Sequence, residues 1–370
     1  MNPKTLRIGL VGPLPPPSGG MANQTLQLAK LLGEEGVKVE VIQVNRPYSP
    51  AWVENLRGVR AVFRLVPYLT RLFTSARDVD LYHVMANSGW SWHLFAAPAI
   101  WIAALRGKPV VVNYRGGEAD AFLQKSLSWV KASMMRADVL IVPSGFLKAV
   151  FGKYGIPAEV VPNIINLDRF SSTGTARRRE DTPCLLVARN LEPIYDNATA
   201  IRAAAIVRET VPGLRLVVAG SGPERPMLEA LARELGIADA VTFTGRVDNA
   251  DMAALYRGAD IMLNPSLVDN MPNSVLEALA SGVPVISTNV GGVPYIVEHG
   301  KTALLVPPKS PGEMAAAIAS LLADPSLAGR LRDAGIESVQ QYTWANVRER
   351  LLRTYEQVLA KRTNAVLEQT

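Results

Sequence analysis

The chain has 370 residues, 48% of them hydrophobic, which is enough for two cored domains of ordinary size. Its single cysteine, Cys184, rules out an internal disulfide and suits a reducing compartment, no run of about 18 apolar residues offers a spanning helix, and the first residues lack the apolar core of a signal peptide. The net charge of +6 is unevenly spread: residues 1–170 hold 19 Lys/Arg against 11 Asp/Glu, whereas residues 171–370 hold 20 against 22. An anionic partner of the first half is therefore expected, be it a lipid surface, a phosphorylated acceptor or nucleic acid.

Short β-branched runs alternate with longer helical patterns, the mark of parallel α/β units. In the first half the pattern predicts strands over 6–11, 37–44, 81–84, 109–113 and 139–142, and helices over 22–33, 93–106, 122–136 and 144–154. Between them, Arg57, Arg60, Arg64 and Arg71 share one helical face, with Val59, Val62, Phe63, Val66, Leu69 and Phe73 opposite; Pro67 is expected to bend or split this helix. Its apolar side either packs inward, the commoner outcome and the favoured one, or leaves residues 54–73 to dock on anionic lipid headgroups. A polar stretch over 171–182 reads as a linker. The rhythm then restarts, with strands over 184–188, 214–219, 241–244, 261–263, 283–287 and 303–306. Helices are predicted over 198–209, 226–236, 248–257 and 273–280, followed by a helical run over 311–359. The chain divides into domains over 1–170 and 183–345, with a tail over 346–370 that can cross back to the first domain. The fold class is α/β, two Rossmann-like domains whose strand ends would face each other across a cleft.

Several strand ends carry residues suited to chemistry. Strand one empties into a loop ending Gly19-Gly20 before a helix, and a second glycine turn, Ala219-Gly220-Ser221-Gly222-Pro223-Glu224, follows another strand. Neither is a dinucleotide fingerprint or a P-loop; each is either a plain turn or a place where backbone meets a ligand. Arg189 directly follows the strand over 184–188, where a guanidinium either clamps a diphosphate or lies on the surface. His83 ends a strand but alone reads more readily as a satisfied buried histidine than as a catalyst. Arg115 and Glu118 follow the strand ending at Asn113. No cluster has metal-ligand spacing, Asp78-Val-Asp80 reads as a turn, and no nucleic-acid motif accompanies the arginines.

The most informative stretch runs Asn264-Pro-Ser-Leu-Val-Asp269-Asn-Met-Pro-Asn-Ser-Val-Leu-Glu277. A strand enters a Pro/Asn-rich turn, a helix opens near Asn273, and two acids 8 residues apart bracket the turn. Amides at a helix start hold an anion, and a carboxylate beside them accepts hydrogen bonds from sugar hydroxyls. Phosphate and polyol recognition together point to a sugar nucleotide.

With Val187-Ala-Arg189, Phe243-Thr-Gly-Arg246 and Glu277-Ala-Leu-Ala-Ser-Gly-Val-Pro-Val, this ordered set resembles the retaining family-4 glycosyltransferases of GT-B fold over nearly the whole chain. The resemblance implies that Glu277 holds the ribose hydroxyls and Asp269 the donor sugar. It assigns the diphosphate to Arg189 and the amides of Gly19 and Gly20. The amides around Asn270, Met271 and Pro272 would line the sugar, Ser274 and Val275 would meet phosphate, and Arg246 and Val247 would flank the base. Gly220 and Gly222 stand as further backbone contacts to the nucleotide, and His83 and Arg115 as acceptor-side catalytic candidates. Three positions depart from the family pattern: Asp269 replaces a glutamate, Ile194 a lysine and Arg115 a histidine. The expected activity is transfer of a sugar from a UDP- or GDP-sugar to a glycan or lipid-linked acceptor, with retention and no essential metal or other cofactor, in a cytoplasmic protein peripheral to the inner face of a membrane. A nucleotide-sugar epimerase of the same architecture and a non-catalytic sugar-nucleotide binder are the alternatives.

Overall fold

The computed structural model describes residues 6–16, 19–56, 60–171 and 182–367, and the chain forms two compact units. The first comprises Met1–Asn163 together with Val347–Thr370, the second Ile164–Asn346. Among the described residues no helix is long and apolar enough to cross a membrane.

The first unit is built on a parallel sheet of β1 (Arg7–Gly12), β2 (Lys38–Gln43), β3 (Leu81–Ala86), β4 (Val110–Tyr114), β5 (Val139–Val142) and β6 (Glu159–Val160), in the order β2-β1-β3-β4-β5-β6. Leu10 stands opposite both Val41 and His83, so β1 lies between β2 and β3, and β3 and β4 are the central strands. Residues of β3 and β4 are buried throughout, as strands covered on both faces must be, so they read as apolar runs rather than alternating ones. The connecting helices are α1 (Gly20–Glu34), α2 (Arg60–Ser75), α3 (Ala97–Leu105), α4 (Ala119–Met134) and α5 (Gly145–Lys153). A π-helical turn over Trp92–Ala96 precedes α3 and buries Trp92 completely. The last helix, α12 (Trp344–Leu367), belongs to this unit from Val347 onward. Val347, Leu351, Tyr355 and Val358 form its buried stripe, and Arg348–Glu35 (2.9 Å) and Arg362–Asp138 (3.2 Å) pair along it.

Two expectations for α2 are corrected. The helix is not split at Pro67, which lies on its exposed side. Its inward face is Leu65, Tyr68, Leu69 and Leu72, whereas Val62 (54%), Val66 (55%), Phe63 (41%) and Phe73 (43%) stay exposed. The apolar side named from the sequence thus does not pack inward, Leu69 excepted. Arg57 and Val59 lie outside the described residues, as does the predicted linker apart from Ser171 and Thr182.

The second unit repeats the plan with β7 (Cys184–Ala188), β8 (Arg215–Ala219), β9 (Val241–Gly245), β10 (Ile261–Asn264), β11 (Val285–Thr288) and β12 (Leu304–Val306), all parallel in the order β12-β11-β10-β7-β8-β9. Its helices are α6 (Asn197–Arg208), α7 (Arg225–Glu234), α8 (Asn249–Gly258), α9 (Asn273–Ala280), α10 (Pro311–Ala323) and α11 (Pro325–Val339). Central β7 and β10 end side by side, Leu263 opposite Val187, so that the loops following both strands meet at one place.

Candidate active site

Arg189 is the first residue beyond β7, and its side chain is 10% exposed. The loop after β10 wraps it. Ser266 Oγ accepts from Arg189 Nε at 3.1 Å and from Nη2 at 2.8 Å, Ser274 Oγ accepts from Nη1 at 3.4 Å, and Asp269 forms an ion pair with Nη2. The guanidinium carbon also lies 4.5 Å from the centre of the Tyr195 ring, a cation–π contact. Since a guanidinium only donates, the direction of every other bond follows. The Ser266 hydroxyl must give its hydrogen to Asn264 Oδ1 (2.9 Å), and Asn264 Nδ2 donates to Ser287 Oγ (2.9 Å). Thr288 Oγ1 closes the network on the Ser266 carbonyl at 2.5 Å. Asn264, Ser266, Ser287 and Thr288 are all fully buried, so this polar chain is satisfied internally and fixes the guanidinium from behind. Burial lowers the pKa of Arg189, and the nearby Tyr195, Tyr256 and Glu277 partly offset this.

Glu277 sits one turn inside α9, as the sequence predicts, and is half-buried. Tyr256, on α8 and fully buried, donates its hydroxyl to Glu277 Oε2 at 2.9 Å. Burial raises the Glu277 carboxyl above its ordinary range; the Tyr256 bond and then the charges of Arg169 and Arg189 pull it back down. One guanidinium is therefore ion-paired with Asp269 and within electrostatic reach of the tyrosine-bound Glu277.

The turn between the two acids is held by backbone. Gly292 N–H donates to the Asp269 carbonyl at 2.7 Å, and a β-carbon on Gly291 or Gly292 would collide with the carbonyls of Asp269 or Asn270. This glycine pair was missed from the sequence, as were Ser287 and Tyr256, while Asn264 and Ser266 stood in the quoted stretch without a role. A Gly-Gly pair two residues beyond the end of β11 was the available signal. Of the residues expected to line the sugar with amides, Asn270 and Met271 are buried, and Pro272 has no N–H to give, which corrects its assignment. Pro272 instead precedes α9 as its cap residue. Ser274 is buried beside Arg189, and the Val275 amide already donates to the Pro272 carbonyl at 3.2 Å.

Gly220 and Gly222 have a local reason to be glycine. Their β-carbons would strike the carbonyls of Arg189 and Leu191, and Gly220 N–H is already bonded to the Gly245 carbonyl at 2.9 Å. They press the Arg189 loop into place. Ile194 lies in a short 3-10 turn, Pro193–Tyr195, and its carbonyl accepts from Leu267 N–H at 2.8 Å, which sets Tyr195 against Arg189. Arg246 follows β9 and is exposed, while Val247 is half-buried against the core.

In the first unit, Gly19 precedes α1 in extended conformation, and a β-carbon there would meet nothing within 4 Å. Packing within the chain does not demand glycine at 19, and Gly20 is the first residue of α1. His83 does not reach a surface: it is fully buried within β3. Its Nδ1 is 2.7 Å from Tyr355 Oη and its Nε2 is 3.0 Å from Asn113 Nδ2. Arg115 Nε donates to Asn113 Oδ1 at 3.2 Å, so the amide nitrogen of Asn113 faces His83, Nε2 accepts, and Nδ1 carries the hydrogen given to Tyr355. Burial, then the charge of Arg115, lowers the pKa of His83 to about 3. A neutral ring with both nitrogens engaged is a structural tie between β3 and α12, and the catalytic candidacy of His83 is withdrawn. Arg115 is half-buried after β4, bonded also to Asn163 Oδ1, and its pKa is lowered by burial to about 10.

Among the described residues, no group of three or more His, Cys, Asp or Glu is placed to hold a metal ion. A family model described as glycosyl transferases group 1 matches residues 171–338, and one described as glycosyltransferase family 4 matches residues 18–169. Among curated relatives, the GDP-mannose-dependent alpha-(1-6)-phosphatidylinositol monomannoside mannosyltransferase of Mycobacterium tuberculosis is 34% identical over 232 residues, 58% of this chain and 60% of that one. The chain thus spans less than two thirds of that relative's length. Among solved structures, sucrose-phosphate synthase from Thermosynechococcus elongatus superposes with a TM-score of 0.77 at 23% identity, covering 96% of this chain and 100% of the other. HepE of Anabaena in complex with UDP follows at a TM-score of 0.74 and 17% identity, covering 95% and 100%.

Proposed function

This chain belongs to the group 1, family 4 glycosyltransferases of GT-B fold, and we propose that it moves a sugar from a nucleoside-diphosphate sugar to a glycan or lipid-linked acceptor with retention at the anomeric carbon. The observation that carries this reading is a buried arginine at the end of a central strand, gripped by Ser266 and Asp269, with Glu277 one turn inside the helix that follows. Arg189 is the diphosphate ligand. In the ligand-free chain Asp269 occupies its guanidinium, so the incoming diphosphate displaces that carboxylate, which turns to the hydroxyls of the donor sugar. Glu277, oriented by Tyr256, accepts from the ribose hydroxyls.

In the reaction the bond from the anomeric carbon to the phosphate oxygen breaks, the nucleoside diphosphate leaves with the electron pair, and the acceptor hydroxyl bonds to the same face as its proton departs. Charge then grows on the diphosphate. A cation already fixed by buried hydrogen bonds stabilises that charge without reorganising, which is the main catalytic device here. Diphosphate neutralisation relies on Arg189 and backbone amides, Ile194 standing where the family carries a lysine, and no essential metal is required. Gly19 and Gly20 supply close backbone approach, and Arg246 with Val247 flanks the base. Arg115 serves an acidic group of the acceptor.

Both UDP and GDP are reasonable donor nucleotides, since the Anabaena neighbour holds UDP and the mycobacterial relative is named for GDP-mannose. The latter's phosphatidylinositol-based acceptor supports a lipid-linked acceptor here. Residues 54–73 rest on an anionic membrane surface, a reading supported by the exposed Val62, Val66 and Phe73 of α2. The test is sugar transfer from a panel of UDP- and GDP-sugars to lipid and glycan acceptors, with and without chelator. Transfer with a retained anomer that survives chelation is expected; an inverted product, or activity lost on chelation, contradicts the mechanism.

A further inference from the structure

The first unit contains a pocket of about 520 Å³ between β2 and α2 that the donor chemistry does not use. That volume lies within the range of small-molecule sites. It is lined by three arginines, Arg46, Arg64 and Arg71, and by the apolar side chains of Leu14, Phe63 and Pro67. Its walls are set in advance. Asn45 Oδ1 accepts from Leu14 N–H at 2.9 Å, Asn45 Nδ2 donates to the Leu14 carbonyl at 2.7 Å, and Gln43 Nε2 donates to Asn45 Oδ1 at 3.2 Å.

The charges in it are unbalanced. Glu40 answers Arg71 at 3.0 Å. Arg64 has no carboxylate partner among the described residues; its guanidinium is stacked over the Tyr48 ring at 4.1 Å, and its Nε is buried without a hydrogen-bond partner. A buried donor left unmet is costly, and a guanidinium held by its face presents its N–H edge to a ligand. Arg46 is exposed at the mouth, also without an ion-pair partner among the described residues. Two guanidinium groups with no carboxylate partner among the described residues, over a preformed apolar floor, match a phosphate ester attached to something greasy.

We propose that this pocket binds the phosphate of a phosphorylated amphiphile, with Arg46 and Arg64 on the phosphate oxygens and the attached chain running over Phe63 towards the exposed strip of Val62 and Val66. Of the α2 arginines that line the pocket, Arg64 alone then acts on the bound phosphate, Arg71 being paired with Glu40. The phosphate comes from a lipid headgroup in a bilayer or from a soluble phosphate ester, and the two sources are separable by experiment.

The experiment compares the full chain with the Arg46→Gln/Arg64→Gln variant in two arms. One is flotation with vesicles of phosphatidylcholine alone or mixed with phosphatidylglycerol; the other is calorimetric titration with glycerol 3-phosphate. Because each arginine contributes about a factor of five against an anionic surface, the variant is expected to bind mixed vesicles about thirtyfold more weakly and neutral vesicles no differently. The same loss confined to glycerol 3-phosphate assigns the pocket to a soluble ester. Equal binding of variant and wild type in both arms, or no binding by wild type in either, overturns the proposal. Arg46→Gln alone, at an exposed position, gives part of the loss and guards against misfolding of the double variant. UDP and GDP titrations of the same variants remain at wild-type affinity, so the result is independent of the donor reading.

Discussion

Ser266 offers the sharpest test of how the site is organised, because its hydroxyl links the guanidinium to the buried chain behind it. Replacing it by alanine deletes the oxygen that accepts from Arg189 Nε at 3.1 Å and Nη2 at 2.8 Å, and strips Asn264 Oδ1 of the hydrogen it receives at 2.9 Å. Hydrogen bonds to a charged group are worth about 1.5–3 kcal/mol, and leaving a buried acceptor unmet adds to the cost. Arg189 keeps Asp269, Ser274 and Tyr195, so the guanidinium stays charged but loses its fixed orientation. A loss of about 2 kcal/mol expressed in nucleotide binding is roughly thirtyfold in Kd. The assay is calorimetric titration of UDP and GDP into wild type, Ser266→Ala, Arg189→Lys and the double variant. If Ser266 acts through Arg189, removing it from the lysine background costs little more, and the cycle shows a coupling of about 1.5 kcal/mol or above. Additive losses, or an unchanged Kd for Ser266→Ala, would refute the reasoning.

Three other outcomes follow from the geometry. Burial lifts the Glu277 carboxyl, so the folded chain holds that proton more tightly than the unfolded chain, and its charge costs stability above the folded pKa. Glu277→Gln is therefore expected to melt later than wild type at neutral pH while binding donor poorly, with the melting gap closing as pH falls; a gap that widens on acidification contradicts this. Gly292→Ala drives a methyl into the Asn270 carbonyl and should cost about 1–3 kcal/mol in denaturant unfolding, with donor affinity falling as the Asp269 turn shifts. Tyr355→Phe leaves the His83 Nδ1–H without an acceptor, so about 1–3 kcal/mol of stability should be lost with UDP and GDP binding by the second unit unchanged.

Much of the fold was legible because buried parallel strands write themselves as apolar runs: β1, β3, β4, β5, β7 and β10 fall within a few residues of their predicted places. The two-residue β6 was not, being too short for any period to register. The inward face of α2 was misread because apolar residues cover more than half its circumference. The sheet took Leu65, Tyr68, Leu69 and Leu72, and left Val62, Val66 and Phe73 outside. At the site, Arg189, Asp269 and Glu277 were visible as charges at strand and helix ends, and the structure gathers them around one guanidinium. The roles of Ser266, Asn264 and Ser287 were invisible because a buried serine or asparagine differs from a turn residue only in its partners, and those lie largely on neighbouring strands. His83 shows the same limit: the sequence places it on a strand, but only α12, more than 270 positions later, shows that Tyr355 satisfies it.

The most direct measurement is a structure of the chain soaked with UDP or GDP and its sugar conjugate. The account predicts the ribose hydroxyls on the Glu277 carboxylate, the diphosphate against Arg189, and Asp269 released from that arginine towards the sugar. A nucleotide bound elsewhere, or bound there with the Arg189–Asp269 pair intact and Glu277 untouched, would contradict it.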